Sequence, residues 1–398
     1  MISGWVAAGY GPVRHEFENV LTRPGEAGAA FAAVVDGVPV VDLWGGVRDA
    51  DAQIPWTADT AQLIFSGTKG MIASCILLLL DRGQLSLDRR VTDYWPDFAA
   101  AGKGDVLVRH LLSHQSGLPA VEPPPTGKEA LEPVEMAARL AHQPALWPPG
   151  TAITYHALTF GWLCDGLIRR VDGRSAGRCF AEEIAGPLGL DAWIGLPATA
   201  EGRVATMMRA PDYQVTFGDI DDGSRALLTR IYAGGGIVDE RFAVNDPDFL
   251  RAEIAGVNGV ATARSMARLY GCLARDGVID GVRLLSAETV RLASVPLAAG
   301  LDRLTGKPLA FSTGFETQTA LQWYGPAESA FGHSGAGGSV HGAWPQLRTG
   351  FSFAMNLMRR DDRDGRAQRL LGALYGCVTS SSSARSSDNP TLVEVKTG

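Results

Sequence analysis

The 398-residue sequence lacks several features that mark large protein classes. Its five cysteines, Cys75, Cys164, Cys179, Cys272 and Cys377, are odd in number and show no Cys-x-x-Cys spacing. Thiols scattered in this way argue against a disulfide framework or a zinc site, and they fit a reducing cytoplasm. Runs of lysine and arginine are missing and the net charge is −7, so neither nucleic acid nor an anionic membrane is expected as a partner. The apolar stretch 71–80 falls well short of the roughly 20 residues that a bilayer span needs. The opening Met1-Ile2-Ser3-Gly4-Trp5 has no basic segment and no apolar segment behind it, so a cytoplasmic location is expected rather than secretion. No internal repeat is evident. What remains, with 46% apolar and 20% charged residues, is a globular chain long enough for one large domain or two intimate lobes.

The most informative segment is Phe65-Ser66-Gly67-Thr68-Lys69-Gly70, which runs directly into the apolar stretch Met71-Ile72-Ala73-Ser74-Cys75-Ile76-Leu77-Leu78-Leu79-Leu80. The stretch is apolar around nearly its whole circumference, so it reads as a buried helix. Asp81-Arg82-Gly83 then supplies the charge and the glycine that close such helices. Residues three apart share a helix face, so the Lys69 amine can reach the Ser66 hydroxyl. A helix start also offers unpaired backbone N–H groups and the positive end of the dipole. That setting suits an alkoxide and the oxyanion it creates. A buried lysine needs a partner or a purpose.

Strands and helices can be placed around this segment. Residues 11–22 read as a short amphipathic helix. The runs on either side of Asp36-Gly37, within 29–44, read as a hairpin closed by a type I′ turn. From about 84 to 258, helical periods alternate with loops rich in proline and glycine. Strands return over 310–358, and a last helix is expected over 365–376. This order predicts one α/β (α+β) domain over 1–379, an antiparallel sheet flanked by helices. Its α/β body would come from about 1–83 and 259–379, with a mostly helical lobe, about 84–258, inserted. The serine-rich segment 380–398 reads as a disordered polar tail.

In this order and spacing the chain resembles the serine β-lactamase and penicillin-binding-protein superfamily, above all the family VIII carboxylesterases. The likeness covers roughly residues 15–378. It rests on Ser66-Gly67-Thr68-Lys69, on Gly83-Gln84-Leu85-Ser86-Leu87-Asp88, and on Arg109-His110-Leu111-Leu112-Ser113-His114-Gln115-Ser116-Gly117-Leu118-Pro119. Tyr155-His156-Ala157 follows Pro149-Gly150 and matches the tyrosine motif. Gly332-His333-Ser334-Gly335 takes the place of the strand motif that is Lys-Thr-Gly in β-lactamases. The resemblance implies a β-lactamase-like fold, an acyl-enzyme at Ser66, and no cofactor or metal. It also implies that Tyr155, held near Lys69, works as a phenolate or shared-proton base, because a neighbouring ammonium lowers a phenol's pKa. The oxyanion would be held by the backbone N–H groups of Ser66 and Ala336.

Two departures from the β-lactamase pattern bear on the substrate. Ala157 stands where those enzymes carry an asparagine, and His333 where they carry the strand lysine. Both weaken recognition of an anionic amide and suit a small neutral ester. Gly335 is expected to let the substrate approach the backbone closely. Trp323, Tyr324, His341 and Trp344 flank the late strand and are candidates for an acyl pocket. The literal Lys396-Thr397-Gly398 ends the polar tail and reads as a chance match. His110 and His114, four apart, lack a third ligand and read as structural. The expected partner is therefore a small-molecule ester. An amidase or D-aminopeptidase, an acyltransferase, a weak β-lactamase and a non-catalytic binding module remain as alternatives, and nothing in the sequence sets the oligomeric state.

Overall fold

A computed structural model describes residues 2–233, 243–360 and 364–387. Its centre is a ten-stranded sheet to which both ends of the chain contribute. The order is Ile2–Val6, Val38–Asp49, Gly28–Val35, Thr349–Met355, Ser339–Trp344, Phe331–Gly335, Glu316–Thr317, Pro308–Phe311 and Ala298–Leu301, with Ile54–Pro55 paired off Val38–Asp49. Every pairing in it is antiparallel. The early hairpin meets the late strands in one register, from Val35 opposite Thr349 to Ala29 opposite Met355. Its turn is the expected one, with Asp36 and Gly37 both at positive φ, 49° and 81°. Strand Gly28–Val35 is buried along nearly its whole length, because helices cover both faces of the sheet. Its continuous apolar composition follows from that burial.

Helix Ala263–Leu273 packs on one face of the sheet, while Gly11–Leu21 packs on the early strands and against Arg366–Ser387. The last helix outruns the 365–376 expected of it and passes through Ser380, so that part of the predicted polar tail is helical. Serine and alanine continue an existing helix at small cost, which the composition of the segment hid. Lys396-Thr397-Gly398 lies outside the described residues. The middle of the chain is helical as expected, with Val108–Leu112, Pro133–His142, Thr159–Asp172 and Ala176–Phe180. Short strands tie it to the body: Met208–Arg209 pairs with Leu357–Met358, and Ala192–Trp193 shares Val260–Ala261 with Gln62–Leu63. All five cysteines are buried, and none forms a disulfide. Among the described residues, no helix is long and apolar enough to cross a membrane.

Candidate active site

The Ser66 turn is held at three points by its neighbours. Gln62–Leu63 is paired to Val260–Ala261, and Ile64 N–H continues that pairing to Gly259 O at 2.9 Å. Phe65 takes a positive φ of 46°, unusual for a bulky side chain, and opens a single 3₁₀ turn, Phe65–Gly67. The Thr68 hydroxyl closes the arrangement, donating to Phe65 O at 2.5 Å and accepting Gly259 N–H at 2.7 Å. Helix Thr68–Asp81 then begins, buried from Thr68 to Leu79. Ser66 is thereby set on a rigid corner, partly exposed, with its hydroxyl beside the helix start.

Lys69 is fully buried one turn further on. Its Nζ lies 3.0 Å from Ser66 Oγ, 2.7 Å from Ala157 O and 2.8 Å from Gly256 O. Burial lowers its pKa from 10.5 to about 7, against a weaker upward pull from the Glu316 carboxylate. The geometry adds direction to that shift. A neutral amine has two N–H groups and one lone pair, and two backbone carbonyls take the N–H groups. The lone pair is left facing the Ser66 hydroxyl, as proton abstraction requires.

Tyr155 stands over the amine, with Nζ 4.9 Å from its ring centroid. Its own chain is held from below. Tyr155 N–H donates to Asp302 Oδ2 at 3.1 Å, while Asp302 Oδ1 accepts from Leu304 N–H and Thr305 N–H. The next residue's N–H donates to His114 Nδ1 at 3.0 Å, and the His114 ring lies 5.0 Å from that of Tyr155. His156 fixes the loop through Thr154 O and Ser116 Oγ, and its pKa of about 4, depressed by burial, keeps it neutral. The phenol does not behave as the sequence suggests. Burial pushes the Tyr155 pKa well above 10, Glu316 pushes it further, and a side-chain hydrogen bond with Ser66 only partly offsets them. Desolvation is the largest of these influences and, with the Glu316 and Tyr232 charges, outweighs the hydrogen bond. Tyr155 is a protonated donor here, not a phenolate.

The opposite wall is the turn after strand Phe331–Gly335. A Cβ on Gly335 would lie 2.3 Å from Ile64 O, so glycine lets this strand close on the Ser66 corner. Gly335, Ala336 and Ser66 border the same cavity. The turn is braced by the fully buried Arg366, whose Nη2 donates to Gly337 O at 2.9 Å and pairs with Asp364 Oδ2 at 2.7 Å. Its Nη1 pairs with the buried Glu26 at 3.0 Å. Gly338, at φ 118°, has no room for a side chain, since a Cβ would lie 2.1 Å from Asp364 Oδ2. Arg366→Met leaves two carboxylates buried with less compensation, and we expect it to cost about 3–5 kcal/mol of stability. Urea unfolding checks this, and a loss below about 1 kcal/mol would contradict the bracing role.

The cavity has a volume of about 310 Å³ and apolar walls. Residues that the sequence left unread supply much of them, including Tyr213, Val215, Phe217 and Tyr232, together with Leu309 and Phe311. Ala157, Gly335, Trp323 and Tyr324 border it as expected. Trp344 does not: it is fully buried at the end of an inner strand, packs on Phe351 and Tyr375, and donates its indole N–H to Tyr324 O. His341 is likewise internal, bonded to Ser352 Oγ at 2.7 Å. His333 is also fully buried, beneath Tyr155, with its Nδ1–H donated to Ser334 O, so it cannot meet substrate at the cavity surface. Alternation sends His333 and His341 to one face of the sheet and Trp344 to the other, and both faces are covered, so none of the three reaches the cavity. His110 accepts Leu107 N–H, and no cluster of metal-ligating residues occurs among the described residues. Reading the sequence missed Glu316 and Asp302. A single acid between Phe315 and Thr317 in strand-like sequence was the available signal for Glu316.

A family model described as Beta-lactamase matches residues 13–374. The chain is 38% identical over 346 residues to the esterase/beta-lactamase LipL of Mycobacterium tuberculosis (strain ATCC 25618 / H37Rv), spanning 82% of this chain and 76% of that one. It is similar to the crystal structure of a family VIII carboxylesterase, with a TM-score of 0.87, 37% identity, and coverage of 95% of this chain and 100% of that one. A penicillin-binding protein homologue from Caulobacter crescentus aligns with a TM-score of 0.85, 36% identity and the same two coverages.

Proposed function

The chain belongs to the beta-lactamase family, and within it we propose a serine esterase that cleaves small carboxylic esters through an acyl-Ser66 intermediate. One observation carries this reading: the Lys69 amine, which donates its N–H groups to Ala157 O and Gly256 O, turns its remaining position to Ser66 Oγ from 3.0 Å. In acylation Ser66 Oγ attacks the ester carbonyl while its proton passes to Lys69 Nζ. The carbonyl oxygen becomes an oxyanion between the amides of Ser66 and Ala336. The C–O bond to the alcohol then breaks, and the departing oxygen takes a proton from Tyr155, which Lys69 restores. Water follows the alcohol and attacks the acyl carbon as its proton passes to Lys69, and Lys69 returns that proton to Ser66 Oγ as the bond to the serine breaks and the acid leaves. No step calls on a cofactor or metal.

The names of the relatives support ester chemistry, and so do the walls of the cavity. Ala157 offers a substrate amide no side-chain hydrogen bond. Among the described residues that line the cavity, Lys307 is the single cation, and it is exposed at the rim. A β-lactam would therefore leave both its side-chain amide and its carboxylate short of partners, each at roughly 1–3 kcal/mol. We expect kcat/KM for nitrophenyl butyrate to exceed that for a chromogenic cephalosporin by about 10²–10³ or more. Side-by-side kinetics test the reading. Equal values, or a preference for the cephalosporin, would make the chain a β-lactamase with incidental esterase activity.

A further inference from the structure

The proton transfers above leave Glu316 without a task, although it borders the same cavity as Ser66. It sits on the two-residue strand Glu316–Thr317, paired to Gly332 on one side and to Phe311 on the other. Its Oε2 accepts from the Tyr324 hydroxyl and from Ser334 Oγ, the latter at 3.3 Å. Its Oε1 receives no hydrogen bond among the described residues. The nearest cationic candidate is His333 Nε2, at 3.8 Å. That atom cannot donate from a neutral ring, because the imidazole's one proton is on Nδ1 and goes to Ser334 O at 2.9 Å. His333 Nε2 is itself buried without a partner. The burial that depresses the ring's pKa keeps it neutral.

Of the other charges around the cavity, Lys307 lies exposed at the rim with its amine 3.4 Å from Thr216 O, and the rest are engaged within the site. Asp302 accepts three backbone N–H groups, from Tyr155, Leu304 and Thr305. Asp364 is paired with Arg366. The Lys69 amine is turned towards Ser66 and two carbonyls. Glu316 is thus the carboxylate in this apolar cavity with an oxygen still short of a donor. It hydrogen-bonds Ser334, the residue just before Gly335 and Ala336, so it lies close to where a bound ester's carbonyl would sit. Tyr155, Trp323 and Tyr324 surround the same space, and aromatic faces attract cations.

We propose that Glu316 selects substrate by charge, so that this site takes esters carrying a cationic amine a few bonds from the scissile carbonyl and discriminates against anionic ones. The proposal rests on the esterase reading and names its substrate class. It also gives a positive reason for poor turnover of β-lactams, which carry a carboxylate.

The test uses three nitrophenyl esters of similar size: butyrate, which is neutral, β-alaninate, which is cationic, and succinate, which is anionic. Each kcat/KM is divided by the ester's own rate with hydroxide, which removes differences in intrinsic reactivity. In the wild-type protein the cation-to-anion ratio should be at least about 30, the effect of opposite charges some 8 Å from a carboxylate near a protein surface. In Glu316→Gln that ratio should fall at least about tenfold, whatever happens to the absolute rates. A flat or anion-favouring series in the wild type, or an unchanged ratio in the variant, would overturn the charge filter while leaving the esterase standing. Failure to hydrolyse any of the three would overturn the esterase reading, and the filter with it.

Discussion

Lys69→Met should reduce kcat/KM for nitrophenyl butyrate by about 10³-fold or more, and it should also erase the acidic limb of the pH profile. The first effect follows from removing the general base together with the group that orients the nucleophile, whose losses compound. The second carries a sign that can be worked out. Lys69 must be neutral to accept the Ser66 proton, and burial sets its pKa at about 7. In the free enzyme kcat/KM should therefore rise with pH up to about 7 and then level off. An ordinary lysine would still be charged there, and activity would climb for three further pH units or so. Methionine nearly matches the volume of the lysine stem, so the fold should survive the change. A wild-type profile that is flat between pH 5 and 9 would assign the proton to another group.

Tyr155→Phe should separate substrates by their leaving groups. Because burial keeps the phenol protonated, Tyr155 acts in this account as the acid that supplies the departing alkoxide. General acid catalysis of this kind is worth about 10²–10⁴ when the leaving group is a poor one. An ethyl or butyl ester should lose about that much in the variant. A nitrophenyl ester, whose phenolate leaves without help, should lose at least about tenfold less. Paired kinetics on an alkyl and a nitrophenyl ester of the same acid measure the difference. Equal losses on both would return Tyr155 to the role of base, as the resemblance first implied, and would mean that its proton is more easily lost than its burial indicates.

Much of this was legible in the sequence because it is written locally. The Ser66–Lys69 spacing, the closed circumference of the following helix and the Asp36-Gly37 turn each depend on a few neighbouring residues. Ordered motifs then fixed the fold, and the sheet joins the two ends of the chain as expected. What was not legible depends on partners far apart in sequence. Tyr155 was expected to be acidified by Lys69, but its protonation state is set by burial and by Glu316, which is 161 positions later. His333 was placed at the substrate from its position in a motif and Trp344 from flanking the late strand, whereas both are buried in the sheet, on opposite faces. Glu316 was passed over because one acid in a two-residue strand leaves no pattern. Likewise, the aromatic wall from Tyr213 to Tyr232 has no periodicity that points to a cavity, and only the folded lobe brings it to Ser66.

The central claim is that Ser66 becomes acylated. It is tested most directly by treating the protein with a fluorophosphonate and mapping the adduct by peptide mass spectrometry. The account predicts a single modification, on the peptide that contains Ser66, together with loss of esterase activity in step with labelling. Ser66→Ala should show neither the label nor the activity. Label on any other residue, or labelling and turnover that persist in Ser66→Ala, would contradict it.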